Sequence, residues 1–233
     1  MKTLAKGRWV AIAKWWMMGV VVGSAFCTPS GLNNIPTADV VDTGLLVLQQ
    51  MNNLRVGGWH GRHVLAFKYG IASNMEVGWV GAPNHSGSKR DFLLGVGAAA
   101  GYPMTFHGKV RFALGENGLK LGVGIVNLSD SARKAGNPAY YAVLSQDLKW
   151  VRGHLGFMTT RGPDGLFVGI DKRIGRWTWR ADFNDVGDGS VYTFGFLYPL
   201  RCDWILEGWI SFPTARGVRE TLTLKLNYVV KLR

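Results

Sequence analysis

Acidic residues are scarce in this chain: 15 Asp and Glu stand against 27 Lys and Arg, giving a formal net charge of +12 over 233 residues. Cysteine is scarcer, with only Cys27 and Cys202, which excludes a disulfide framework and a multi-cysteine metal site. Eight prolines and no Ser-rich tract leave nothing that reads as a linker, so a single domain is expected. No apolar run reaches the roughly 20 residues of a spanning helix. No amphipathic stretch with a 3.6-residue period is long enough for a surface helix either, which leaves an all-β fold. The basic residues are dispersed, without the clustered aromatics that a nucleic-acid surface pairs with them, so nucleic acid is not an expected partner.

What is present begins with the segment MKTLAKGRWVAIAKWWMMGVVVGSAFC. It has basic residues, no acid, and an apolar run over residues 15–26 of signal-peptide length, with Ala25 and Cys27 at small-residue positions. Residues 1–27 are therefore expected to be a cleaved Sec-type export signal, with a membrane anchor as the alternative, and residues 28–233 the mature domain. Removal of Cys27 would leave Cys202 alone. Glycine is abundant, at 32 residues, with no collagen period to account for it.

From Asp42 onward the chain reads as twelve strands of about ten residues: TGLLVLQQM, HVLAFKYG, MEVGWVG, GKVRFALG, LKLGVGIVNL, AYYAVLSQDL, VRGHLGFMTT, LFVGIDK, RWTWRADF, VYTFGFLYP, CDWILEGWI and ETLTLKLNYVV. Short connections (ASN, ENG, LK, RI, LR) alternate with longer ones, as in barrels with tight periplasmic turns on one rim and loops on the other. The apolar stretch DFLLGVGAAAGYP, residues 91–103, breaks that rhythm as a thirteenth strand and fits better as part of an outer loop; both readings stay open.

Alternation sets the faces. In RWTWRADF the tryptophans share one face and the arginines the other. Glycines recur on the polar faces (Gly78, Gly122, Gly124, Gly156, Gly169), where a soluble sheet would carry Thr, Lys or Glu and a narrow lumen benefits from missing side chains. Tyr69, Trp79, Phe157, Trp177, Phe183, Tyr192, Tyr198, Trp204 and Tyr228 fall on the apolar faces, many near strand ends, as in aromatic girdles. The expectation is a single closed antiparallel transmembrane β-barrel of about twelve strands in a Gram-negative outer membrane, with lipid as its surroundings and both ends periplasmic. Its lumen would be lined by Lys68, Glu76, Lys109, Arg111, Lys120, Arg152, His154, Asp171, Arg176, Arg180, Asp182, Glu207 and Lys225.

The stretches CTPSGLNNIPTADVVDTGLLVLQ, GKVRFALGENGLKLGVGIVNL, YYAVLSQDL and GLFVGIDK resemble the YjbH-like and related uncharacterised bacterial outer-membrane barrels, whose mature chains open with a similar G-L-x-x-x-P-T-A segment. The resemblance runs over most of the mature chain. It implies an association with exopolysaccharide production.

Chemistry of other kinds finds little support. His60 and His63 in WHGRH have no acidic or cysteine partner nearby, so no metal and no cofactor is expected. Ser145 and His154 are expected to lie diagonally across a tight LK turn, but no acid nearby in sequence would orient the histidine, and no enzyme is expected. Glycine strings such as GVG lack the Lys and helix of a phosphate loop. Eight inward bases against four acids point to a small channel for anionic solute or polysaccharide. The alternative is a structural or adhesion-type barrel whose charges pair across a filled lumen.

Overall fold

A computed structural model describes residues 31–56, 61–81, 84–85, 104–129, 138–159, 164–185, 189–201 and 203–232. Twelve long strands follow one another: β1 (Leu45–Arg55), β2 (Gly61–Ala72), β3 (Met75–Gly81), β5 (Met104–Ala113), β6 (Lys120–Leu128), β7 (Ala139–Asp147), β8 (Arg152–Thr159), β9 (Gly165–Ile174), β10 (Trp177–Asn184), β11 (Val191–Pro199), β12 (Trp204–Pro213) and β13 (Thr221–Lys231). The two-residue piece β4 (Asn84–His85) prolongs β3 in the same register against β2. Every long strand is antiparallel to its neighbours, and β1 pairs with both β2 and β13, which closes the sheet. A closed sheet has no edge and satisfies its backbone internally, as a bilayer requires. The twelve-stranded barrel expected from the alternation is the fold. The expected signal, residues 91–103, His60 and Cys202 lie outside the described residues.

Polarity is reversed relative to a soluble protein. Outward positions hold large apolar side chains left exposed on the surface, among them Leu65, Leu155, Leu166, Ile170, Phe194 and Leu224. Inward positions hold Gln49, Glu76, Lys109, Arg180, Glu207 and Asn227, all buried. Outward rings gather near the rims: Trp177 lies 4.5 Å from Tyr198 and Trp204 4.6 Å from Tyr228 on the short-turn side, and Phe183 lies 4.8 Å from Tyr192 on the opposite side. Rings placed there suit the boundary between acyl chains and headgroups.

Five connections on one rim are short, and two differ from the sequence expectation in ways that move functional groups. Between β7 and β8 the turn takes residues 148–151, closed by the Leu148 amide on the Val151 carbonyl at 2.9 Å, rather than LK alone. The register shifts by two residues, so His154 stands directly opposite Ser145 and Arg152 opposite Asp147. Between β9 and β10 the strands continue to Ile174 and from Trp177, and the turn is Gly175 with Arg176. Gly175 supplies the positive φ of 62° that a side chain would resist.

The wall carries a buried ionic cluster across β10, β12 and β13. Glu207 accepts from Arg180 Nη1 at 2.6 Å on one oxygen and from Lys225 Nζ at 2.8 Å and Asn227 Nδ2 at 2.6 Å on the other. Gln49 of β1 donates to Asn227 at 2.7 Å and extends the network across the β1–β13 seam. Glu207→Gln should destabilise the barrel by about 3–5 kcal/mol, because two buried cations lose their shared carboxylate. Urea titration in lipid reads this directly. In the same assay Leu155→Arg, on the outer face, should cost roughly 2–4 kcal/mol near the bilayer midplane, whereas Met51→Arg, on the lumen side, should cost well below that. Equal costs would reverse the face assignment.

Candidate functional site

Residues 31–43 do not join the wall. From the start of β1 at the short-turn rim the chain folds back into the barrel, with Thr43 bridged to Gly70 and the Leu45 amide bonded to the Asp42 carbonyl at 3.0 Å. Farther in, it ends in a tight turn in which Gly31 bridges Pro36 and the Leu32 amide meets the Ile35 carbonyl at 3.0 Å. Leu32, Ile35, Ala38, Val40 and Val41 are buried there. Leu32, Ile35 and Ala38 pack with Tyr141, Val143 and Phe167 of the wall, and Val41 packs with Val47. Burying each large apolar side chain is worth about 1.5–3 kcal/mol, and ordering an extended backbone takes back about 1–2 kcal/mol per residue. Polar contacts therefore decide how firmly the segment sits.

The inward glycines make room for it. A Cβ at position 169 would stand 2.5 Å from Leu32 Cδ1 and 2.6 Å from Ile35 Cδ1; one at 122 would stand 2.9 Å from Ala38 Cα; one at 195 would meet Asn33 Oδ1 at 2.6 Å. At Gly70 the Val41 and Asp42 carbonyls occupy the space. Gly156 and Gly124 instead accommodate the rings of Phe167 and Tyr141. A narrow lumen alone also accounts for inward glycines. Their pattern around a G-L-x-x-x-P-T-A segment was the available sign of an internal occupant.

Polar anchors fix this plug along its length. Asn33 donates to Asp182 at 2.9 Å, and Asn34 to Thr193 at 2.7 Å and Ser211 at 2.9 Å. Lys109, 3.5 Å from Glu76, donates to the Thr37 carbonyl at 2.9 Å, and Glu76 accepts the Val41 amide at 2.8 Å. The Ala38 amide donates to Ser145 Oγ at 2.9 Å. Asp39 meets Arg152 Nη1 at 2.6 Å and Lys120 Nζ at 3.6 Å. Burial pushes the Asp39 carboxyl up, but the Arg152, Lys120 and Lys109 cations outweigh it and hold the group below its ordinary 3.8.

The expected lumen residues fall into three sets. Glu76, Lys109, Lys120, Arg152, His154, Asp171 and Asp182 surround the plug, all but His154 and Asp171 contacting it directly. Arg180, Glu207 and Lys225 form the wall cluster, and Lys68 lines the lumen beside Lys225. Arg111 and Arg176 reach the rim instead. Arg111 Nη2 donates to the Ser73 carbonyl at 2.5 Å, and Arg176, exposed in its turn, donates to the Pro199 and Leu200 carbonyls at 2.7 and 2.6 Å. With those two at the rim and Asp39 inside, six bases face five acids among the residues named here, against eight and four by alternation alone.

The register shift assembles a Ser-His-Asp relay that sequence reasoning left without its acid. Ser145 Oγ lies 2.7 Å from His154 Nδ1, and His154 Nε2 lies 3.1 Å from Asp171 Oδ2. Asp171 comes from the next strand, 17 residues on. With the ring proton on Nε2, Ser145 donates to the histidine and accepts the Ala38 amide, so its hydroxyl anchors the plug rather than facing a substrate. Among the described residues no group of three or more His, Cys, Asp or Glu is placed to hold a metal.

Two cavities flank the plug. One of about 420 Å³ lies toward the long-loop rim above residues 31–36, lined by Met51, Asn53, Lys68, His107, Trp209 and Lys225 among others. One of about 360 Å³ opens at the short-turn rim, with Lys149, Arg152, Lys172, Arg173 and Arg176 against Asp147 and Asp171.

Among solved structures, the chain is similar to the KdgM porin in complex with disordered oligogalacturonate, at 9% identity and TM-score 0.60, over 78% of this chain and 98% of that one. It is also similar to the COG4313 outer membrane channel from Pseudomonas putida F1, at 8% identity and TM-score 0.52, over 83% of this chain and 98% of that one. No family model matches the chain, and no curated protein matches it in sequence. The resemblance to YjbH-like barrels is thus supported as a likeness to porin-like outer-membrane barrels and no more finely.

Proposed function

We propose that the protein is a small outer-membrane channel for anionic solutes or acidic polysaccharide, closed in this state by its own residues 31–43. It would be exported through the signal at residues 1–27 and inserted with its short turns and both ends in the periplasm. The observation that carries the reading is the nature of the occupant. A non-strand segment held by discrete side-chain anchors separates two cavities, so its departure would join them while the wall keeps its own ladder and its Arg180–Glu207–Lys225 cluster. The neighbouring folds support it: one is an outer membrane channel and the other is a porin in complex with oligogalacturonate. Lys68, Lys120, Arg152 and Lys225 would then face the passing solute, and the work is passage rather than catalysis. The pairing of nearly every inward acid favours the second reading, a permanently filled structural barrel with loop-mediated contacts.

Planar-bilayer recording separates the two. The unmutated protein should show rare openings, and Asp39→Asn combined with Asn33→Ala should raise open probability on the order of tenfold for each 1.4 kcal/mol of contact removed. Silence in both would establish the filled barrel. Because the Asp39 carboxyl is depressed below 3.8, its hold is fully present above that value and is lost as pH falls through the lower folded-state value. The difference in opening between the unmutated protein and Asp39→Asn should therefore be constant between pH 7 and about pH 5 and close only below 3.8. A difference that closes near neutrality would show that the Arg152 and Lys120 cations do not hold Asp39 in this way.

A further inference from the structure

The plug places a carboxylate where the wall is built to receive one. Asp39 divides its oxygens between two cations, Oδ2 at 2.6 Å from Arg152 Nη1 and Oδ1 at 3.6 Å from Lys120 Nζ. Arg152 does not depend on Asp39 for its position. Its Nε and Nη2 both donate to Asp171 Oδ2, at 3.0 and 2.7 Å, and Asp171 is steadied in turn by His154 Nε2 at 3.1 Å. Two of the guanidinium's donors are fixed on the wall, so Nη1 stays directed at the lumen whether or not the plug is seated. A donor held in advance loses little entropy on binding a carboxylate.

The approach is built as well. The cavity of about 360 Å³ at the short-turn rim is lined by Arg152 and Asp171 together with Lys149, Lys172, Arg173 and Arg176. Trp150 stands exposed at its mouth, with Lys149 Nζ 5.4 Å and Lys172 Nζ 5.9 Å from its ring. An exposed ring flanked by cations suits the flat face of a sugar that carries a negative charge. We propose that Arg152 and Lys120 form a binding site for a carboxylate-bearing saccharide entering from the short-turn rim, and that Asp39 occupies this site as an internal competitor. Ligand and plug then exclude each other, so acidic saccharide on that side unseats residues 31–43. The site rests on the plugged-channel reading, but occupancy is measurable without conduction.

Calorimetry on the full folded barrel in detergent, with an oligomannuronate as probe and a maltooligosaccharide of equal length as neutral control, tests it. Asp39→Asn should bind oligomannuronate at least tenfold more tightly than the unmutated protein, because the competitor has lost its charge. Adding Arg152→Gln to Asp39→Asn should reduce binding to the level of the neutral control. Lys120→Gln on the same background, a rim-side change that leaves the Arg152–Asp171 pair intact, should weaken it severalfold and serves where the Arg152 variant does not fold. Equal affinity with and without Asp39, retention of binding in both cation variants, or equal binding of the neutral saccharide would overturn the site. Competition in a barrel that never conducts would keep the site and discard the channel. Conduction without competition would do the reverse.

Discussion

A bilayer core offers no hydrogen bonds, and the whole arrangement follows from that constraint. The sheet must close, which β1 accomplishes by pairing with β2 and β13. Apolar side chains then take most of the outside, and most polar side chains of the strands are driven into a narrow interior where they need partners. Charge pairs across neighbouring strands meet part of that need, as Glu207 does with Arg180 and Lys225. Part of the remainder is met by a segment that belongs to no strand. Residues 33–41 supply amides, a carbonyl, two asparagines and one carboxylate to acceptors and donors of the lumen wall.

Packing and polarity cooperate in that segment. Glycines at 122, 169 and 195 remove side chains where Ala38, Leu32, Ile35 and Asn33 approach, and Tyr141, Val143 and Phe167 give the apolar residues something to touch. The contacts are many and individually modest, which suits an occupant that can leave. The wall's own bonds, including the Arg152–Asp171 pair, do not pass through it.

The barrel was legible in the sequence because its signal is local and periodic. RWTWRADF alone fixes two faces, and Trp179 lies outside while Arg180 and Asp182 lie inside as its alternation requires. What escaped was set by long-range or turn geometry. Nothing periodic marks residues 31–43, so their path through the lumen was invisible, and Asp39 was left out of the interior charge. The turn at residues 148–151 consumes Trp150 and Val151, a two-residue change that left the faces intact but brought His154 opposite Ser145. Asp171 joins them from a third strand, a proximity that sequence distance conceals. Arg176 reads as a strand residue by alternation, yet Gly175 before it adopts a turn conformation and carries it to the rim.

The seating of residues 31–43 inside the wall is open to direct chemical measurement. The carboxylate of Asp39 in the segment lies 3.6 Å from Lys120 Nζ of β6. Zero-length carbodiimide coupling of the unmutated folded barrel should therefore join Asp39 to Lys120, seen by mass spectrometry of the digested protein as a peptide pair linking residues 31–43 to β6 and lost in Asp39→Asn. No such pair, in a folded barrel whose exposed carboxylates do react, would contradict the internal plug.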